Sequence, residues 1–465
     1  MPNLELFLLS ISNFLYGNIV IFLLISCGVY FTIRTGFAQI IYFFESFKLA
    51  KEKTDKNQVS SLMALMISTA SRVGTGTIAG VATALVTGGP GAIFWMCVMS
   101  LISSASSIVE GTLAQLYKTV NSNGSFRGGP AYYIEKGLKN KKFGILFSIL
   151  MIISFAYGFN TLQSNTISSA MSYYIPYYQN SIWPIIFGLI LTIVTGFIIF
   201  GGTERIGFIS SYMVPVMAIV YLAIGWFIII KNFSSVSTVL DTVFKNAFDF
   251  RSIISGFAGS ALAMGIKRGL LTTEAGMGSA PNAVATASTS HPVKSGILQL
   301  LSVGIDTMIC ATTGFSVLFS EVNLHGGLDG VPLVQEVLKE QIGDIGIHFI
   351  TFSIYTFAYS SIISNYCLAE TNFLFLKDDK KILNTFRVSC LLPILIGCVA
   401  SPTAVWNFAD ISMALMAIVN IISMILLSNK FMICFKDYKD QKKNNSDPKF
   451  KILDYKLDNI ESVWK

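Results

Sequence analysis

Long apolar stretches, separated by short polar segments that carry most of the lysine, set the rhythm of this 465-residue chain. A helix that crosses a bilayer needs about 17 to 25 mainly apolar residues. Eleven stretches meet that length, roughly 16–33, 60–87, 91–117, 143–171, 181–201, 207–230, 252–271, 293–320, 345–370, 386–403 and 408–433. The pattern predicts an all-α integral membrane protein with about eleven transmembrane helices. Lys and Arg gather in cytoplasmic loops. The segment 34–56 holds Arg34, Lys48, Lys51, Lys53 and Lys56, and the loop after the third stretch holds Lys118, Arg127, Lys136, Lys139, Lys141 and Lys142. The loop near 377–387 and the tail after Lys430 follow the same alternation, while 172–182 and 402–407 carry neither residue and 321–344 is mainly acidic. An outside N-terminus and a cytoplasmic C-terminus satisfy all of these. The exception is 231–251, expected outside yet carrying Lys231, Lys245 and Arg251. From Lys436 on, acid and base alternate without apolar period, which predicts a solvated cytoplasmic tail within reach of anionic lipid.

Composition sharpens the picture. Hydrophobic residues make up 53% and charged residues 13%, where soluble domains carry roughly a quarter charged. The net charge of +7 lies in short clusters between apolar runs, so no basic face is offered to nucleic acid. Seven Cys without a paired spacing and three His favour neither a disulfide framework nor a metal site. The start MPNLELFLLSISNFLYGN lacks a basic region ahead of its apolar run, and no removable signal peptide is expected.

Inside the second stretch, ASRVGTGTIAG from Ala70 to Gly80 interrupts what would otherwise be one buried helix. Gly74, Gly76 and Gly80 miss the dinucleotide-binding spacing by one residue and follow no soluble strand. Two readings stay open. Gly76, Gly80 and Ala84 at fourfold spacing suit close helix packing. Alternatively the helix unwinds near the midplane, freeing backbone groups for a bound ion or zwitterion, with Thr75 and Thr77 adding hydroxyls for a small cation. The seventh stretch, SGFAGSALAMGIKRG, is also glycine-interrupted, at Gly256, Gly259, Gly265 and Gly269. Setting the first span aside leaves two five-helix halves, each opening on such a helix. The chain divides into 1–59 (first helix and cytoplasmic loop), 60–230 (first repeat), 231–433 (second repeat) and 434–465 (tail), the pattern of an inverted-repeat secondary transporter.

RVGTGTIAGVATALVTGGPGAIFWM, FRGGPAYYIEKGL, GIKRGLLTTEAGMGSAPNAVATASTSHPV, the IDT of the eighth span and WNFADISMALMAIVN together resemble the alanine/glycine:cation symporters, also called sodium:alanine symporters, from about Ser60 to Asn420. The resemblance implies a leucine-transporter-like fold, a bacterial or archaeal cytoplasmic membrane, and import of a small neutral amino acid by alternating access. It implies sodium, or alternatively protons, as the co-transported ligand, and no cofactor. Carried over by residue, Gly74, Thr75 and Gly76 keep the backbone role of the first break, while Thr77 stands where the family has Asn. Gln163, flanked by Asn160 and Asn165, looks like a substrate ligand. Phe257, Ala258 and Gly259 match the second broken helix, and Thr272 to Pro281 an element near the inner gate or a packing element. In the ninth span, FAYSSIISNYCLAE places Ser360 and Ser361 where many members have Thr, as sodium ligands together with Thr75. Asn365 replaces a Trp there. Two readings follow: Asn365 enlarges the side-chain end of the pocket, pointing to a larger polar substrate such as glutamine, or it faces a neighbouring helix.

Ionisable residues within spans are costly and mark function by default. Arg72, Asp306 and Asp410 are candidates for gate or ion-linked roles. Glu110 and Glu370 read equally well as helix-end charges. The family-independent rivals are weak: a channel usually builds its filter by oligomeric symmetry, and the three His do not form a catalytic cluster.

Overall fold

The second stretch shows how sequence becomes architecture. The computed structural model describes residues 2–52, 59–121, 124–249, 259–324, 326–444, 446–452, 459–460 and 464. Ser60 caps a helix over Ser61–Arg72 by accepting the Met63 amide at 3.1 Å, the role a serine hydroxyl plays for an orphan N–H. The helix stops at Val73, whose backbone is extended, and resumes as a π turn over Gly76–Gly80 that continues into Val81–Gly88. The interruption expected between Ala70 and Gly80 is therefore present, at Val73 and Gly74.

Eight helices among the described residues are long and apolar enough to cross a membrane, the first Glu5–Thr35 and the last Pro402–Leu426, and Gly76–Gly88 and Trp183–Ile199 are shorter apolar helices. Together with Ala261–Thr273 they account for the eleven stretches, numbered here in chain order as spans. Phe22, Phe197 and Ile219, on the first, fifth and sixth spans, are 71%, 73% and 68% exposed. Large apolar side chains facing outward suit hydrocarbon rather than water.

The loops rich in lysine and arginine meet one another at one end of the bundle. Arg127 pairs with Asp378 at 2.8 Å, Lys294 with Glu52 at 3.0 Å, and the Lys118 ammonium donates to the Ala287 carbonyl at 2.9 Å. At the opposite end Asn246 accepts from the Gly91 amide at 2.8 Å and Lys231 donates to the Gln341 carbonyl at 2.5 Å. The lysines of 231–251 thus lie at the end away from the basic loops.

The second interruption is not where the glycines are densest. Residues 250–258, including Phe257, lie outside the described residues, but Ala261–Thr273 runs unbroken through Gly265 and Gly269. These two glycines are packing positions: a Cβ at Gly265 would lie 2.5 Å from Trp95 Cβ, and one at Gly269 3.3 Å from Met99 Cβ. The helix lies antiparallel to Gly76–Gly88. Gly88 abuts Met264, Gly80 approaches Leu271 and Arg268, and Gly76 approaches Leu271 and Thr272. Gly259 is therefore at the far end of this helix, level with the end of the second span, not at the midplane. The chain breaks instead after Thr273, where Glu274, Gly276 and Gly278 take left-handed backbone at φ 49°, 85° and 89° before the short helix Ala280–Val284.

The tail also differs from expectation. Ser428–Lys443 is helical and buries Phe431, Cys434, Phe435 and Tyr438. Beyond it, the Phe450 amide donates to the Ser290 carbonyl at 3.0 Å, Asp447 pairs with Lys294 at 2.7 Å, and the Trp464 indole donates to the Gln115 carbonyl at 3.1 Å. The apolar positions 431, 435 and 438 follow a helical period that begins ahead of Lys436, in residues counted with the last span.

Candidate substrate and ion site at two helix breaks

With no helical partner at 73–75, the freed backbone groups of the second span find side chains from two other spans. Gln163, on the fourth span, accepts from the Thr75 amide at 3.0 Å and from the Thr75 hydroxyl at 2.5 Å through the same Oε1. Ser361, on the ninth span, donates its hydroxyl toward the Ala70 carbonyl at 2.7 Å and the Val73 carbonyl at 3.3 Å, and also lies 3.0 Å from its own-helix Phe357 carbonyl. Gly74 is what lets them approach: a Cβ there would lie 2.5 Å from Ser361 Oγ and 2.7 Å from Gln163 Nε2.

Gly74, Thr75, Gln163 and Ser361 are thus brought together. Thr75 turns its hydroxyl to Gln163 and not toward the serines. Thr77 closes back on the Gly74 carbonyl at 2.9 Å, and Ser360 on the Phe357 carbonyl at 2.8 Å. Ser360 and Ser361 are both fully buried.

The second break docks beside the first. Ser71, at the end of Ser61–Arg72, donates to Glu274 at 3.0 and 3.3 Å and to Asn365 Oδ1 at 2.9 Å, and Asn365 Nδ2 donates to Asn160 Oδ1 at 3.2 Å. Ser279 donates to the same Glu274 carboxylate at 2.5 Å. Glu110, left open between a functional charge and a helix-end charge, is fully buried and accepts from the Gly276 amide at 3.2 Å and from Asn420 at 3.0 Å; Asn420 also reaches the Gly276 carbonyl at 2.9 Å. Tyr133 donates to Asn420 in turn. Gly278 is fixed by close approach as well as by φ, since a Cβ would lie 2.8–2.9 Å from Asn420, Phe147 and Pro130. Asn365 has both ends of its amide on neighbouring elements, the second of the two arrangements its sequence position left open.

Three charges expected in the spans fare differently. Asp410 pairs with Lys267 at 2.7 Å and Arg268 at 3.1 Å, and Arg268 stacks over Trp406 at 4.2 Å. The sequence reading passed over Lys267 and Arg268, although charges within an apolar run are the signal that flagged Arg72. Arg72 is 1% exposed, and among the described residues none of its three nitrogens has a hydrogen-bond partner. Asp306 is fully buried, with both oxygens likewise unpartnered among the described residues. Glu370, by contrast, is an ordinary helix-end pair with Arg387 at 3.1 Å.

This arrangement, two interrupted helices meeting inside a helical bundle, is that of leucine-transporter-like carriers with a five-plus-five inverted repeat. The chain matches the solved structure of MhsT in complex with L-phenylalanine with a TM-score of 0.58 at 14% identity, over 80% of this chain and 90% of that one. Within that class the chain belongs to the sodium:alanine symporter family, whose model matches residues 1–452. It is 44% identical over 446 residues to the amino-acid carrier protein AlsT of Bacillus subtilis, covering 96% of this chain and 94% of that one. It is also 44% identical over 445 residues to the probable sodium/glutamine symporter GlnT of the same organism, covering 94% and 91%. To the sodium/alanine symporter AgcS of Methanococcus maripaludis it is 34% identical over 450 residues, covering 94% and 98%.

Proposed function

We propose that this chain is a sodium-coupled symporter that imports a small neutral amino acid by alternating access across a bacterial or archaeal cytoplasmic membrane, with its N-terminus outside and its C-terminus inside. The observation that carries the reading is the meeting of Ser361 with the Ala70 and Val73 carbonyls while Gln163 holds the Thr75 donors. Carbonyls at a helix C-terminus carry partial negative charge and suit a small cation, while free amides at the N-terminus of the following segment suit a carboxylate. One interruption therefore offers both poles.

In this reading sodium takes the Ala70 and Val73 carbonyls with the Ser361 and Ser360 hydroxyls, all hard oxygen ligands. The substrate carboxylate takes the Thr75 donors that Gln163 holds, and the released Gln163 carbonyl becomes an acceptor for the substrate ammonium. Ion and substrate share the 70–75 segment, so each orders the backbone the other needs, and each raises the other's affinity by the same factor. No covalent step is required.

The substrate class is alanine and glycine, with glutamine as the second reading. That second reading rests on the 44% identity shared with GlnT and AlsT alike, not on Asn365. Proton coupling is the other open branch, since a relative 37% identical is described as a putative sodium/proton-dependent alanine carrier. Purified protein in sealed vesicles should accumulate labelled alanine or glutamine when sodium is higher outside, and lose that accumulation when the gradient is collapsed. Equilibration alone, indifferent to the gradient, would overturn the reading.

A further inference from the structure

Asp306 stands apart from the other buried carboxylates around the two breaks. Glu110 is held by an amide and by Asn420, and Glu274 by Ser71 and Ser279. Asp306 is fully buried, and among the described residues neither of its oxygens receives a hydrogen bond. Its level in the bundle is fixed by register. Ser68 donates to Gln299 at 2.8 Å and Thr69 to Ser302 at 3.0 Å, so the eighth span runs alongside the second. Asp306, one helical turn beyond Ser302, comes level with Arg72 and the first break.

The charges around it do not balance. Arg72 and Glu274 face Asp306 electrostatically, Arg72 also acts on Glu110 and Glu274, and Cys310 lies one turn further along the same helix. One guanidinium therefore acts on three carboxylates, and among the described residues none of its nitrogens has a hydrogen-bond partner. An ionised carboxylate that is dry, unpaired and without donors is strongly unfavourable in a membrane interior; such a group persists by taking up a cation or a proton. The orphaned carboxylate and the orphaned guanidinium are two separate observations at the same level of the bundle.

We propose that Asp306 is a second cation-binding position of the transport cycle, taking one monovalent cation, sodium or a proton, apart from the position at Ser361. The proposal rests on the symporter reading above. Occupation neutralises Asp306 as the bundle closes around it, and release on the other face returns the charge. Arg72 is then free to lean toward whichever carboxylate remains ionised.

Reversal potentials of amino-acid uptake in proteoliposomes count the charge carried per neutral substrate. The wild type should carry about two cations per amino acid, and Asp306→Asn about one, while Asp306→Glu keeps about two. Labelled sodium flux per amino acid halves in Asp306→Asn if the ion is sodium; if it is a proton, lumenal acidification during wild-type uptake disappears and the sodium flux per substrate is unchanged. Asp306→Asn with the wild-type ratio and wild-type acidification would overturn the proposal. Should that variant fail to fold, the wild-type ratio decides alone, since about one cation per substrate leaves no second position to fill. Absence of gradient-driven uptake in the wild type is a different result, overturning the symporter reading and this proposal with it.

Discussion

Asn365 shows how much a single residue's surroundings change its meaning. Against the Trp that the family resemblance implies at this position, an Asn reads as added pocket volume; in the structure its amide bridges Ser71 and Asn160, ties that hold the end of the broken second span to the fourth and ninth. Asn365→Ala should therefore act on stability first. It leaves buried polar partners without a bond, at about 1–3 kcal/mol, so the thermal midpoint in detergent should fall. The competition order of unlabelled alanine, glycine and glutamine against labelled substrate should stay as in the wild type. A changed order at matched protein levels would return Asn365 to the pocket wall.

At the scale of elements, the active arrangement is a contact between two breaks. Gly76 is the point where the second span meets Leu271 and Thr272 of the seventh, with a Cβ only 3.3 Å from each side chain. Gly76→Leu should insert normally, because it adds an apolar side chain to an apolar span, yet abolish uptake by forcing the breaks apart. Transport at the wild-type rate by that variant would show that the two interruptions do not act as a unit. The first break was legible in the sequence because Gly74 and Gly76 interrupt the apolar run just where the helix ends, at Arg72. The second was not, for a physical reason. Glycine serves two purposes in membrane helices, close packing and unusual backbone, and composition does not separate them. Gly265 and Gly269 serve the first, so the densest cluster pointed to the wrong end of the helix. The actual turn begins on Glu274, a residue that rarely adopts φ of 49° and is held there by Ser71 and Ser279, partners distant or unremarkable in sequence. The pairing of Asp410 with Lys267 and Arg268 was hidden in the same way, since only the antiparallel run of the seventh span reveals which charges face each other.

Across the whole molecule, the basic end is closed by the C-terminal segment. His291, just ahead of the eighth span, bonds Asp437 at 3.0 Å and stacks edge-on against Tyr438 and Phe450. Burial pulls its pKa below the ordinary 6.5, and the bond to Asp437 opposes this only in part. A group whose folded pKa is depressed binds protons more readily once released, so docking of the tail is complete above the free value and weakens as pH falls through it toward the folded one. Protection against hydrogen exchange over 428–443 and 446–452, taken relative to the intrinsic amide rate at each pH, should accordingly fall between about pH 7.5 and about pH 5.5, and His291→Asn should remove most of that dependence. Equal protection at both pH values would mean that the bond to Asp437 offsets the burial completely, and greater protection at the lower pH that Asp437 keeps the imidazole charged in the docked state.

In the proposed cycle ion and amino acid share the interrupted segment 70–75, the ion through Ser361 and the substrate through Thr75 and Gln163. Equilibrium binding of the amino acid to purified protein, titrated at low and at saturating sodium in wild type and in Ser361→Ala, addresses it without needing transport. In the wild type, sodium should tighten amino-acid binding by about 5- to 150-fold, a coupling of about 1–3 kcal/mol. In Ser361→Ala the sodium concentration for half-maximal effect should rise about tenfold, the loss expected for one hydroxyl ligand, with affinity at saturating sodium close to wild type. An unchanged sodium requirement in the variant, with substrate binding still sodium-dependent, would place the ion elsewhere and contradict the shared segment.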